Sequence, residues 1–94
     1  TEHHYMPSRP LSVFWGSPAE IRAHQSKLPA HFQMISLSKD SRIAARELYA
    51  ALRAGDLIAG KSELILYRET LNHELWEAID DRLKRAATHR LGSL

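Results

Sequence analysis

"LSVFWGSPAE", residues 11–20, decides the fold. Its first half is short, aromatic and β-branched, which reads as a strand. Its second half is a helix start. Ser17 can cap, Pro18 suits the first helical position, and Glu20 stands three residues after the cap, so Ser17 and Glu20 can close a capping box. A strand that runs straight into a capped helix opens a β–α unit. Ile21, His24 and Leu28 share one face of that helix, and Pro29 ends it.

The same unit recurs outward along the chain. "FQMISLS", residues 32–38, is a second strand candidate, and "KDSRIAARELYAALRAG", residues 39–55, an amphipathic helix. Asp40 or Ser41 caps it, and Ala45, Leu48, Tyr49 and Leu52 recur at helical spacing. Gly55 stands where a left-handed helix terminus is expected. "ELILYRE", residues 63–69, is a third strand, apolar enough for burial on both faces. "TLNHELWEAIDDRLKRAATHR", residues 70–90, makes the last helix, with Leu75, Ile79, Leu83 and Ala86 or Ala87 as its stripe. Acids precede bases along it, which suits the helix dipole. Asp80–Lys84 and Asp81–Arg85 fall at i,i+4 as solvated pairs.

Strands alternating with helices predict parallel pairing through right-handed crossovers. The expected architecture is a small, open, three-layer α/β/α unit with three mainly parallel strands and three helices. Strand order 2-1-3 puts residues 11–15 in the centre, whereas order 3-2-1 would centre the more polar "MISLS". Residues 1–10 precede the unit as a strap. Pro7 and Pro10 fix their own φ angles and push Met6 and Arg9 toward extended geometry. The strap is aromatic and stiff, with His3, His4 and Tyr5 in its first half. Nothing in the remaining sequence explains it. The predicted division is therefore residues 1–10 as linker and 11–94 as domain.

The 94 residues fit one domain, with 44% apolar and 26% charged residues and a net charge of +2. That balance is too even for a protein that binds nucleic acid mainly by neutralising phosphates. The chain has no cysteine, which removes disulfides, cysteine zinc sites and a thiol nucleophile. No apolar run approaches the ~20 residues of a membrane helix, and the expected setting is the cytoplasm.

Chemistry-bearing motifs are few. The turn "WGSPAE" has one glycine, with neither G-x-G-x-x-G nor G-K-[ST], so a phosphate cradle is not specified there. "HELWE" at His73 begins like a zinc helix but lacks the second histidine, and no metal site is expected. No G-x-S-x-G elbow is present. Lys84, Arg85 and Arg90 form the remaining candidate surface, for RNA or a partner protein. The residues alone specify a core and no catalytic group.

Three stretches carry a resemblance. "HYMP" (residues 4–7), "LYAALR" (residues 48–53) followed by Asp56, and "AIDDRLKRAA" (residues 78–87) resemble, in this order, elements of long-form L-threonylcarbamoyladenylate synthases. These are the H-Y-x-P linker, the L-Y-x-x-L-R helix and the closing A-I-x-x-R-L-x-R-A-A helix. The chain departs from that family where "HELWE" replaces a glycine-containing segment. The resemblance implies a linker plus the C-terminal domain of a larger enzyme, an open α/β unit similar to a Rossmann half. The parent would condense L-threonine, bicarbonate and ATP into threonylcarbamoyl-AMP for modification of adenosine 37 in tRNA. ATP and Mg²⁺ would bind the N-terminal catalytic domain, this domain's partner, and none here. His4 and Tyr5 would contact the catalytic cleft, and other proteins of the tRNA pathway are possible partners.

Overall fold

A computed structural model describes residues 6–93. β1 (Leu11–Gly16) leads into α1 (Pro18–Gln25), then β2 (Phe32–Ile35), α2 (Ser41–Asp56) and β3 (Glu63–Glu69). A 3-10 turn (Thr70–Asn72) joins β3 to α3 (His73–Ala86), and β4 (His89–Gly92) follows. The helix starts obey local chemistry. Ser17 Oγ accepts from the Glu20 amide at 3.1 Å, and the Glu20 carboxylate accepts from the Ser17 amide at 2.8 Å. Asp40, not Ser41, caps α2 by accepting from the Arg42 amide at 2.9 Å and from Ile43. Those backbone donors hold its carboxyl below the ordinary carboxylate range.

The strands form one sheet in the order β2-β3-β1-β4, with every pairing parallel. This corrects the expectation of three strands in order 2-1-3. The fourth strand was hidden because "HRLG" is short, carries two basic residues and directly follows a helical run. The helix ends at Ala86, and Ala87 already has extended backbone. The Thr88 amide then donates to the Leu11 carbonyl at 2.7 Å, and Thr88 Oγ1 accepts from the Leu11 amide at 3.1 Å. Those two bonds draw the chain beside β1. The order is corrected because β3 carries the most continuous apolar run. Leu64, Ile65 and Leu66 are buried, so β3 needs a strand on each side as well as cover on each face. β1 is interior too, between β3 and β4.

Crossover handedness then decides the layers. The β1-to-β2 connection travels one way along the sheet, whereas β2-to-β3 and β3-to-β4 travel the other. With one handedness throughout, α1 must cover one face and α2 with α3 the opposite face. Packing follows that rule. Leu11, Val13, Trp15, Leu64 and Leu66 share a core with Ala44, Leu48 and Leu52 of α2 and with Trp76, Ile79 and Leu83 of α3. Alternate residues face α1, where the rings of Phe14, His24 and Tyr67 stack within 5.7 Å of one another. His24 Nδ1 lies 2.8 Å from Tyr67 Oη. Burial raises the Tyr67 phenol above its ordinary value.

Two helix readings change. Gly55 lies inside α2, without left-handed geometry, and is buried against Ile35. Its role is close approach of α2 to β2. On α3, Leu75 is 74% exposed and Trp76 takes its place in the stripe. Both residues fit helical spacing with Ile79 and Leu83. The indole buries more surface, so it wins the inward position.

Gly92 ends β4 at φ +76°, and a side chain there would run into the Trp15 carbonyl. Gly60 has a similar φ of +81° but open space around it. Gly92→Ala is therefore expected to lose about 1–2 kcal/mol more than Gly60→Ala, whose penalty is the backbone alone. Denaturant unfolding of the two variants measures the difference, and equal losses would contradict the close approach.

Candidate functional site

Two constructions stand out beyond the core, one at each end of the strands. The first holds the strap. α2 begins beyond the carboxyl end of β2 and returns toward the amino end of β3, so Asp56 lies at the edge where the strap enters. The Asp56 carboxylate accepts from the Ser8 amide and Ser8 Oγ, both at 2.9 Å, and from the Arg9 amide at 3.2 Å. The Arg9 guanidinium reaches the Ile58 carbonyl and lies 4.0 Å from Asp56. Pro10 then hands the chain to the sheet by accepting from the Leu64 amide at 2.9 Å. The second half of the strap is thus clasped by the aspartate that follows "LYAALR".

The second construction lies at the carboxyl ends. β1 and β3 are neighbours, yet their helices leave to opposite faces, which makes this edge the switch point of the sheet. At the β1 end, the Glu20 carboxylate that closes the capping box lies against Gly16. An anion at that turn would meet a negative charge. At the β3 end, Arg68 points into the core although it is charged, and it is only 4% exposed. Asp80, fully buried on α3, neutralises it. Nε of Arg68 donates to Oδ1 at 2.7 Å and Nη2 to Oδ2 at 3.0 Å, a bidentate pair. Trp15 Nε1 donates to Oδ1 at 3.1 Å, and His73 Nδ1 lies 2.7 Å from Oδ2. An ionised carboxylate only accepts, so His73 must carry a proton on Nδ1. Arg68 also donates to Asn72 Oδ1 at 3.3 Å, and its guanidinium carbon lies 4.2 Å from the Trp76 ring centroid. Above this network opens a cleft of about 300 Å³.

The i,i+4 spacing alone makes Asp80 a solvated partner of Lys84. It is instead the centre of the buried network. The Asp81–Arg85 pair does not form within 4.0 Å among the described residues. The signal for Asp80 was present in the sequence: Arg68 has the inward parity of Leu64 and Leu66, and Asp80 lies on the stripe at i+4 from Trp76. An arginine and an aspartate both assigned to a core must find each other.

Lys84 is half-buried on the last turn of α3, Arg85 is exposed beside it, and Arg90 is exposed on β4 rather than on the helix. Arg90 aligns with Val13 across the ladder. His4 and Tyr5 lie outside the described residues. Among the described residues no three acidic or histidine side chains converge as metal ligands, and no helix is long and apolar enough to cross a membrane.

The family model described as threonylcarbamoyl-AMP synthase, C-terminal domain, matches residues 1–88. The chain belongs to this family. No curated protein and no solved structure gives a match to the chain. Membership ties this threonylcarbamoyl-AMP synthase C-terminal domain to tRNA modification. The Asp56 clasp and the Arg68–Asp80 network are the features of this chain on which any role must be built.

Asp80→Ala leaves the Arg68 charge buried and unpaired, with an expected loss of about 3–5 kcal/mol in denaturant unfolding. The double variant Arg68→Met with Asp80→Leu is expected to recover most of it, because neither charge then remains. A double variant as unstable as the single one would contradict the pairing.

Proposed function

We propose that the chain is the accessory domain of an enzyme that makes threonylcarbamoyl-AMP from L-threonine, bicarbonate and ATP, and that it holds a linker over that enzyme's catalytic cleft. The reading rests on one observation, the clasp of Ser8 and Arg9 by Asp56. A linker gripped at one end has a defined exit direction and loses less entropy when its free end docks. Pro7 and Pro10 add stiffness. The sequence before the clasp carries His4 and Tyr5, a pair that combines a ring for packing with groups for hydrogen bonding.

On this reading, nucleotide and Mg²⁺ chemistry belong to the catalytic domain. The described residues supply no converging ligand set for a metal, and the β1 turn presents the Glu20 carboxylate where a phosphate would have to sit. The accessory domain contributes position. A strap closed over the cleft excludes water from a hydrolysable carbamate intermediate, and its opening lets product leave.

The test uses the synthase with its catalytic domain. Asp56→Ala and Tyr5→Ala are each expected to lower threonylcarbamoyl-AMP formation about tenfold, near 1.4 kcal/mol. They should also raise the pyrophosphate released per threonylcarbamoyl-AMP recovered, because an open cleft lets water hydrolyse the mixed anhydride after pyrophosphate has left. Circular dichroism confirms that each variant is folded. Unchanged kinetics and coupling in both variants would remove the lid role.

A further inference from the structure

The cleft at the carboxyl ends of β2 and β3 has no part in the clasp, which lies at the other end of the strands. Its walls include Leu37, Ser38 and Lys39 from the β2–α2 connection and Arg68, Glu69 and Trp76 from β3 and α3. Its volume, about 300 Å³, is at the small end of pockets that hold metabolites. It sits at the edge of an open parallel sheet where ligands characteristically bind.

Charge distribution narrows the ligand. Three of the five guanidinium N–H groups of Arg68 are engaged, by Asp80 twice and Asn72 once. Nη1 and Nη2 each keep one N–H. The guanidinium cannot turn to use them elsewhere, since the bidentate pair and the Trp76 ring fix its plane. Lys39 and Glu69 lie on the same cleft, and among the described residues neither is in an ion pair. Asp80 already balances Arg68, so the lining charges sum to about zero while opposite charges stand apart and unmatched. A simple anion would gain from Lys39 and be repelled by Glu69. A zwitterion would satisfy both. Leu37 and the edge of Trp76 supply apolar surface for a small side chain.

We propose that this cleft binds a small zwitterion of the α-amino-acid class, with its carboxylate on Lys39 and the spare Arg68 N–H groups and its ammonium on Glu69. None of the residues lining the cleft takes part in the Asp56 clasp. The test of the cleft therefore separates from that of the lid role.

The experiment is a heteronuclear NMR titration of the 94-residue chain, following the Trp76 indole and Asn72 side-chain amide. The probes are L-alanine and L-threonine, with propionate and ethylamine as single-charge controls and inorganic phosphate as a bare anion. L-alanine or L-threonine is expected to shift both resonances saturably by about 10 mM, while each control binds at least about tenfold more weakly. Lys39→Gln and Glu69→Gln, both at exposed positions, are each expected to weaken binding by a similar factor with the melting temperature unchanged. Absence of saturable shifts with either amino acid would overturn the proposal. So would propionate or phosphate binding as tightly as L-alanine, or indifference of amino-acid binding to Glu69→Gln.

Discussion

Everything on the α2–α3 face is organised around one buried carboxylate. Asp80 accepts from Trp15 on β1, from Arg68 on β3 and from His73 at the start of its own helix. These contacts fix the rotation of α3 over the two interior strands. A purely apolar stripe could slide or turn by one residue, since Leu75 and Trp76 both fit the helical period. A carboxylate needing several donors has only one acceptable position. The pair's net contribution to stability is small against its desolvation cost. Specificity of packing is the better account of its presence, and it explains why the larger ring faces inward and Leu75 faces out.

The parallel topology divides the molecule into two working ends. At the amino ends of the strands, α2 delivers Asp56 to the incoming strap. At the carboxyl ends, the β2–α2 connection and the start of α3 enclose a cleft beside the Arg68 network. The two ends share the sheet but no side chains. The Asp56 clasp and the cleft are therefore separate features, with β1 and β3 between them.

Much of this was legible in the sequence because local chemistry and tertiary structure agreed. Ser17, Pro18 and Glu20 specify a helix start, and the capping box forms with both hydrogen bonds. Asp40 does the same for α2. The reading failed where a residue's role came from a distant neighbour. Gly55 looks like a helix stop until Ile35 is seen against it. Asp80 looks like an exposed member of an i,i+4 ladder until Arg68 is placed beneath it. His89 to Gly92 looks like a fraying helix end, because a four-residue strand with a single apolar side chain, Leu91, gains its identity only from the open edge of β1. Strand order failed for the same reason: it depends on which of two apolar strands has the greater need of neighbours, a comparison of burial that composition leaves nearly level.

The pairing of β1 with β3 and β4, the last two strands of the chain, sets the timetable of biosynthesis. β1 leaves the ribosome first among the elements, but its partners span residues 63–69 and 89–92. At about 5–20 residues per second, the wait is on the order of several seconds. Throughout it, Leu11, Val13 and Trp15 have no sheet to join, and α1 with β2 cannot complete a core without β3. Closure is thus postponed until α3 and β4 have emerged, and the nascent segment presents an aromatic strand to chaperones in the meantime. A ribosome stalled before Thr88 leaves β1 without its β4 neighbour and one edge of the strand unpaired.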